Sequence, residues 1–329
     1  MARSVDSHFS DRQQRIKELT DKLEAGVAAV FESDKYVAYL SAMAKFHHYS
    51  YGNVMLILMQ CPHASRVAGF STWKKTFGRH VKRGEQGIQI LAPCPSRQLV
   101  EMDKLDPITQ APILDANGEP EKELTFVARQ SFRIAYVYDI SQTEGRELPG
   151  LGVNELTGDL HEYEALFSAV QTLSPAPICF RPANTPAKGC YNHLEQRIYI
   201  NKGMSQIQTL KTAIHETAHA KLHARPVVNG KAGEAPEESR RSKEVEAESI
   251  AYVVCQHFGI DTSEYSFPYV TSWSSGKETA ELKASLDCIS KTAEELIDGI
   301  ERLCPELFPS SPAIQATKEY KPRKDAALR

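Results

Sequence analysis

Residues Thr209–His223 read TLKTAIHETAHAKLH, and within them His215-Glu216-Thr217-Ala218-His219 decides how the chain is understood. An α-helix rises about 1.5 Å per residue with 3.6 residues per turn, so histidines four apart stand one above the other and can share a metal ion. Ile207, Leu210, Ile214, Ala218 and Leu222 recur at steps of three and four, which predicts a helix with one apolar face, and Ser205 is placed to cap it. The histidines flank that face, as a metal site set in a packed wall requires.

This is the zincin pattern, in which two imidazoles hold zinc and the glutamate beside the first histidine acts as general base. Glu216 has the glutamate's place. A third protein ligand is needed. His223 lies about 12 Å along the axis from His215, too far for both to bind an ion at about 2 Å. The metzincin pattern fails as well, because Leu222 and Arg225 stand where it needs glycine and histidine.

A carboxylate from a second helix remains. Lys243–Phe258 reads KEVEAESIAYVVCQHF, with Glu244, Ala247, Glu248 and Ala251 on one face and Glu246 on roughly the opposite one. Carboxylates beside small apolar residues are costly unless paired, hydrogen-bonded or metal-bound. Glu244 is expected as the third zinc ligand and Glu248 as the group orienting a ligand histidine, with the reverse assignment as the alternative.

With 329 residues, 41% hydrophobic and 25% charged, the chain suits a soluble α+β protein of two domains. No apolar run is long enough to span a membrane and no secretory signal opens the chain, so a cytoplasmic location is expected. The seven cysteines form no CxxC pair, which argues against a disulfide framework and a thiolate zinc site. A net charge of -3 excludes a strongly acidic DNA mimic, so nucleic-acid affinity must be sought locally.

Between Lys45 and Arg97 eight basic residues face one acidic residue, Glu85, a local excess of +7. Tyr51, Phe70 and Trp73 are interleaved with Lys74, Lys75, Arg79, Lys82 and Arg83. Cations suit phosphates and flat rings suit unpaired bases, so these eight residues are expected to bind single-stranded DNA. A solvated face over an aromatic core is the alternative reading. Ile88–Leu91 and Phe126–Ile140 read as strands, and Gly189–Ile200 as a hairpin whose second strand is the edge beside the metal helix. The expected boundaries are a DNA-binding domain over 1–145, a linker over 146–160, a zincin-like metallopeptidase domain over 161–308 and a disordered tail over 309–329.

Two stretches together resemble one family. YGNVMLILMQ through GFSTWKKTFGRHVKRGEQGIQILAP, and YVYDISQTEG, are similar to the single-stranded-DNA-binding domain of ArdC-type antirestriction proteins of conjugative plasmids and transposons. HETAH followed by EVEAESIAYVVC resembles the attached zincin-type peptidase domain and the ImmA/IrrE peptidases, in which the carboxylate ligand corresponds to Glu244. The resemblance implies an antirestriction protein of a mobile element that holds incoming single-stranded DNA and carries a peptidase fold. One form of that role shields DNA over a structural zinc; another is a DNA-tethered peptidase acting on a protein substrate. A third reading is a regulator-cleaving zinc peptidase whose basic domain binds protein. Tyr191, His193 and Tyr252 are candidates for stabilising the oxyanion.

Overall fold

The computed structural model describes residues 2–94, 96–107, 109, 111–115, 118–129, 131–148, 160–183, 186–225, 227–228, 231–232, 237–260, 262 and 267–308. Most of the expected linker and all of the expected tail lie outside these residues. The first half contains α1 (Ala2–Val30), α2 (Ser33–Lys45), α3 (Tyr51–Gln60), β1 (Val67–Gly69), α4 (Phe70–Lys75), β2 (Arg79–Val81), β3 (Ile88–Pro93), β4 (Ser96–Asp103), β5 (Lys122–Arg129), β6 (Phe132–Asp139) and β7 (Thr143–Gly145). The second half contains α5 (Leu160–Leu173), β8 (Ile178–Arg181), β9 (Gly189–Asn192), β10 (Arg197–Asn201), α6 (Gln206–Leu222), β11 (Val227–Val228), β12 (Lys231–Ala232), α7 (Glu237–His257), α8 (Val270–Ser274) and α9 (Thr279–Leu303). The protein is therefore α+β, as its sequence predicts.

Two compact units emerge, one of residues 2–18 with 89–135 and the other of residues 19–88 with 136–308 among those described. In the first, β4 and β5 form an antiparallel ribbon from Ser96 opposite Arg129 to Asp103 opposite Lys122. Its Leu124 and Phe126 side chains are exposed. The run expected as one strand, Phe126–Ile140, is split between β5 and β6.

In the larger unit, α3 resolves the ambiguous run Val54–Met59 as helix: Ser50 Oγ accepts from Asn53 N–H, and Val54–Ile57 are buried. Only a helix satisfies the backbone of so apolar a segment without strand partners. Tyr36 on α2 is fully buried, and its hydroxyl lies 2.8 Å from Ser249 Oγ on α7. Tyr252 on α7 makes the matching contact with Ser41 Oγ at 2.8 Å. α9 buries Leu282, Leu286, Ile289, Leu296, Ile297 and Ile300, one continuous stripe, against α5 and α7.

The sheet beside α6 has the order β8, β10, β9. β10 runs parallel to β8 and antiparallel to β9. The strand expected at the edge, β10, is thus the middle one, with Ile198 and Ile200 fully buried; β9 is an outer strand beside α6. β8, which pairs with β10 on its other side, lies well before the hairpin in sequence, and the hairpin's own register does not reveal it.

Candidate metal centre and basic face

Ser205 caps α6 as expected, its Oγ accepting from Gln208 N–H at 3.2 Å. Leu210, Ile214 and Ala218 are buried, whereas Ile207, counted on the same apolar face, is exposed in the first turn. On the adjoining side His215 Nε2 and His219 Nε2 lie 3.1 Å apart. α7 brings Glu244 to them, with its two oxygens 3.5 Å from His215 Nε2 and 3.4 Å from His219 Nε2. Donors placed tetrahedrally at about 2.0–2.1 Å from an ion stand roughly 3.3 Å from one another. The two nitrogens stand close to that spacing and each faces one Glu244 oxygen, with one donor atom from each residue within 4.8 Å of the others, so two imidazoles and a carboxylate could hold one divalent ion. The His215 imidazole, and after it that of His219, hold the Glu244 carboxyl well below its ordinary value.

Glu248 lies one turn along α7, accepts a hydrogen bond from Tyr269 Oη and is pushed upward by burial. Glu216 faces β9 and is almost fully buried. Burial pushes its carboxyl to about 7, against the pull of His215, and the Tyr191 backbone amide donates to it. At Gly189 an added Cβ would stand 2.6 Å from Thr212 Cγ2 and 3.0 Å from Glu216 Cγ, so only glycine lets β9 approach α6 this closely. A cleft of about 730 Å³ opens between these elements, lined by Gly189, Tyr191, His193, His215, Glu216 and Glu244. Of the three oxyanion candidates, Tyr191 and His193 line it; Tyr252 is buried against Ser41 instead.

Helical spacing alone gives His223 no place at the ion and turns Glu246 away from the site. His223 Nδ1 lies 2.9 Å from His219 Nδ1, and its Nε2 lies 3.1 Å from Glu246 Oε2. Ser285 Oγ on α9 donates to the other Glu246 oxygen at 2.7 Å. A carboxylate only accepts, so His223 carries its proton on Nε2 and accepts at Nδ1. His219 must then donate from Nδ1, which leaves its Nε2 lone pair facing Glu244. Such outer hydrogen bonds fix the tautomer and orientation of metal-binding imidazoles.

The basic stretch divides. Trp73 is fully buried and its indole N–H donates to Tyr138 O at 2.9 Å, so it anchors the core and offers no face to a base. Arg79 gives its guanidinium donors to Thr143 Oγ1 at 2.8 Å, Thr143 O at 2.9 Å, and the Gly145 and Arg146 carbonyls. It staples β2 to β7 and is not a free cation. Tyr51 is half-buried near Asp287 and Glu24, surroundings that repel phosphate. Lys74, Lys75, Lys82 and Arg83 are exposed, with Lys82 Nζ donating to Ser141 O at 2.8 Å. Phe70 is 57% exposed and meets Tyr138 edge-on at 6.1 Å between ring centroids. Tyr136, exposed by 48%, shares Tyr138's side of β6, and the two rings press on Gly87. The alternation Tyr136, Tyr138 signals this face, but a strand's register does not say which side meets solvent.

Residues 10–137 match the model of the N-terminal domain of anti-restriction factor ArdC, and residues 177–258 match the IrrE N-terminal-like domain of the M78 peptidase family. The two matches follow one another along the chain. An uncharacterized protein of Bacillus anthracis is 31% identical over 330 residues, covering 90% of this chain and 53% of the relative. The chain thus spans about half the length of that curated relative. Crystal structures of the antirestriction ArdC protein from plasmid R388 are similar at lower level. The metal-free one is 18% identical with a TM-score of 0.39, covering 79% of this chain and 85% of that one. The Mn(II)-bound one is 17% identical with a TM-score of 0.43, covering 78% and 84%. Among the described residues, no helix is long and apolar enough to cross a membrane.

Proposed function

We propose that the chain is an antirestriction factor of a mobile element that grips single-stranded DNA and carries a zinc-dependent peptidase site. The observation behind the peptidase half is the convergence of His215, His219 and Glu244 beside a buried Glu216. Two imidazoles and a carboxylate suit zinc, which when bound would supply Lewis acidity toward a peptide carbonyl. Glu216 takes the proton of the attacking water and returns it to the leaving amine. The Tyr191 amide holds that carboxylate in place. As the outer strand, β9 gives an extended protein substrate a backbone to pair with along the cleft. His193 and Tyr191 are the side chains placed to steady the developing oxyanion.

The DNA half rests on the ArdC-type N-terminal match and on the exposed group Phe70, Lys74, Lys75, Lys82 and Arg83, joined by Tyr136 and Tyr138. Anisotropy titration of a labelled single-stranded oligonucleotide tests it. Binding that weakens with salt and survives duplex competition is expected. No binding at low salt would favour the other reading, a regulator-cleaving peptidase whose basic face binds protein.

A further inference from the structure

A second cluster of histidines and carboxylates lies at the far end of α7. His257 Nδ1 is 2.9 Å from the Ala44 carbonyl oxygen, and its Nε2 is 3.1 Å from Glu301 Oε1 on α9. A carbonyl only accepts, so Nδ1 carries the proton, and a neutral ring then aims its Nε2 lone pair at a carboxylate. That contact is repulsive unless a second proton or a cation stands between the two atoms. The His47 ring packs edge-on to His257 with centroids 4.6 Å apart. His47, His257 and Glu301 each offer a donor atom, all within 4.8 Å of one another. Asp298 Oδ1 adds a carboxylate 3.9 Å from His47 Nε2 and 3.8 Å from His48 Nδ1. The His47, His48 and His257 side chains are mostly buried.

We propose that His47, His257 and Glu301 form a second divalent-cation site, with Asp298 beside it as a further oxygen donor. Two imidazoles and a carboxylate favour a borderline ion, zinc first among those commonly available. The bond from His257 Nδ1–H to the Ala44 carbonyl is the one metal-binding imidazoles make on their far nitrogen. Thirteen residues separate Glu244 from His257 on α7, about 20 Å along the axis, so one ion cannot serve both places. The site is structural: it ties the turn after α2 to the end of α7 and to α9, segments remote in sequence.

The test is metal content of the full chain, stripped with chelator and dialysed against zinc, with thermal unfolding measured alongside. Wild type should hold two equivalents. The double variant His215→Gln, His219→Gln should keep one, and zinc should still raise its unfolding temperature. His257→Gln and Glu301→Gln should each lose one equivalent; the second keeps shape and volume should the first fail to fold. Retention of two equivalents by Glu301→Gln and by folded His257→Gln would overturn the proposal. So would a wild type whose single equivalent vanishes with His215 and His219, which leaves the peptidase site standing and makes His257 and Glu301 an ion pair. A single equivalent lost with Glu301 alone would instead sink the peptidase site and keep this one.

Discussion

Replacing Glu246 by Gln should perturb the proposed metal centre without touching His215, His219 or Glu244. Glu246 accepts from His223 Nε2–H at 3.1 Å and from Ser285 Oγ at 2.7 Å. A glutamine has one oxygen where the carboxylate has two, so either Ser285 or His223 meets an amide N–H. If His223 loses its acceptor, it no longer needs its proton on Nε2, and His219 is no longer held with a bare Nε2 toward Glu244. Losing an outer partner of this kind typically lowers metal affinity 10- to 100-fold. At about 1.4 kcal/mol per decade, that is roughly 1.4–2.8 kcal/mol. Zinc competition against a chromophoric chelator reads the change directly. Ser285→Ala is the control: it leaves the His223 bond intact and should weaken zinc less than threefold. His223→Ala should fall with Glu246→Gln. Unchanged affinity in both Glu246→Gln and His223→Ala would refute the tautomer argument and make the contact between His219 and His223 incidental.

Glu216→Gln should keep zinc and fold while cutting hydrolysis of a protein substrate by about 10²- to 10⁴-fold, followed by electrophoresis; equal rates would remove Glu216 from catalysis. Neutralising Lys74, Lys75, Lys82 and Arg83 should flatten the log-log salt dependence of single-strand affinity by about 3, at roughly 0.7 per phosphate, and Phe70→Ala should cost about 1–3 kcal/mol of binding at every salt concentration. Trp73→Ala should instead destabilise the fold by about 3–5 kcal/mol, seen in denaturant melts, because its ring fills the core. Asp139 accepts from the Ser65, Arg66 and Ser141 amides and from Ser141 Oγ while 1% exposed. Burial pushes its carboxyl up, but the bonds from Ser141, Ser65 and Arg66 outweigh this and hold it below its ordinary value. Its stabilisation is therefore present above about pH 4 and lost as pH falls through the folded-state value. Asp139→Asn should cost roughly 2–6 kcal/mol at neutral pH, about 1–3 for each of two donors left facing an amide, and should blunt acid unfolding.

The helix α6 was legible because its period, cap and paired histidines all sit within one element, where spacing fixes geometry. Glu244 reached the site by the same logic carried to α7. What spacing could not show was tertiary. His223 is too far from His215 to share an ion, yet one turn from His219 it acts on that ring's far side. Glu246 points away from Glu244, and α9 is what makes its direction useful, through Ser285. In the basic stretch, residue type suggested stacking for Phe70 and Trp73 alike. Packing separated them: one ring is open to solvent, the other closed over by β6.

The most direct test of the central claim is zinc bound per chain in Glu244→Ala, measured beside wild type and Glu248→Ala. Glu244→Ala should lose one tight equivalent while Glu248→Ala keeps it. Loss in Glu248→Ala with retention in Glu244→Ala would contradict the assignment, and retention in both would mean that the convergence of His215, His219 and Glu244 does not build the metal centre.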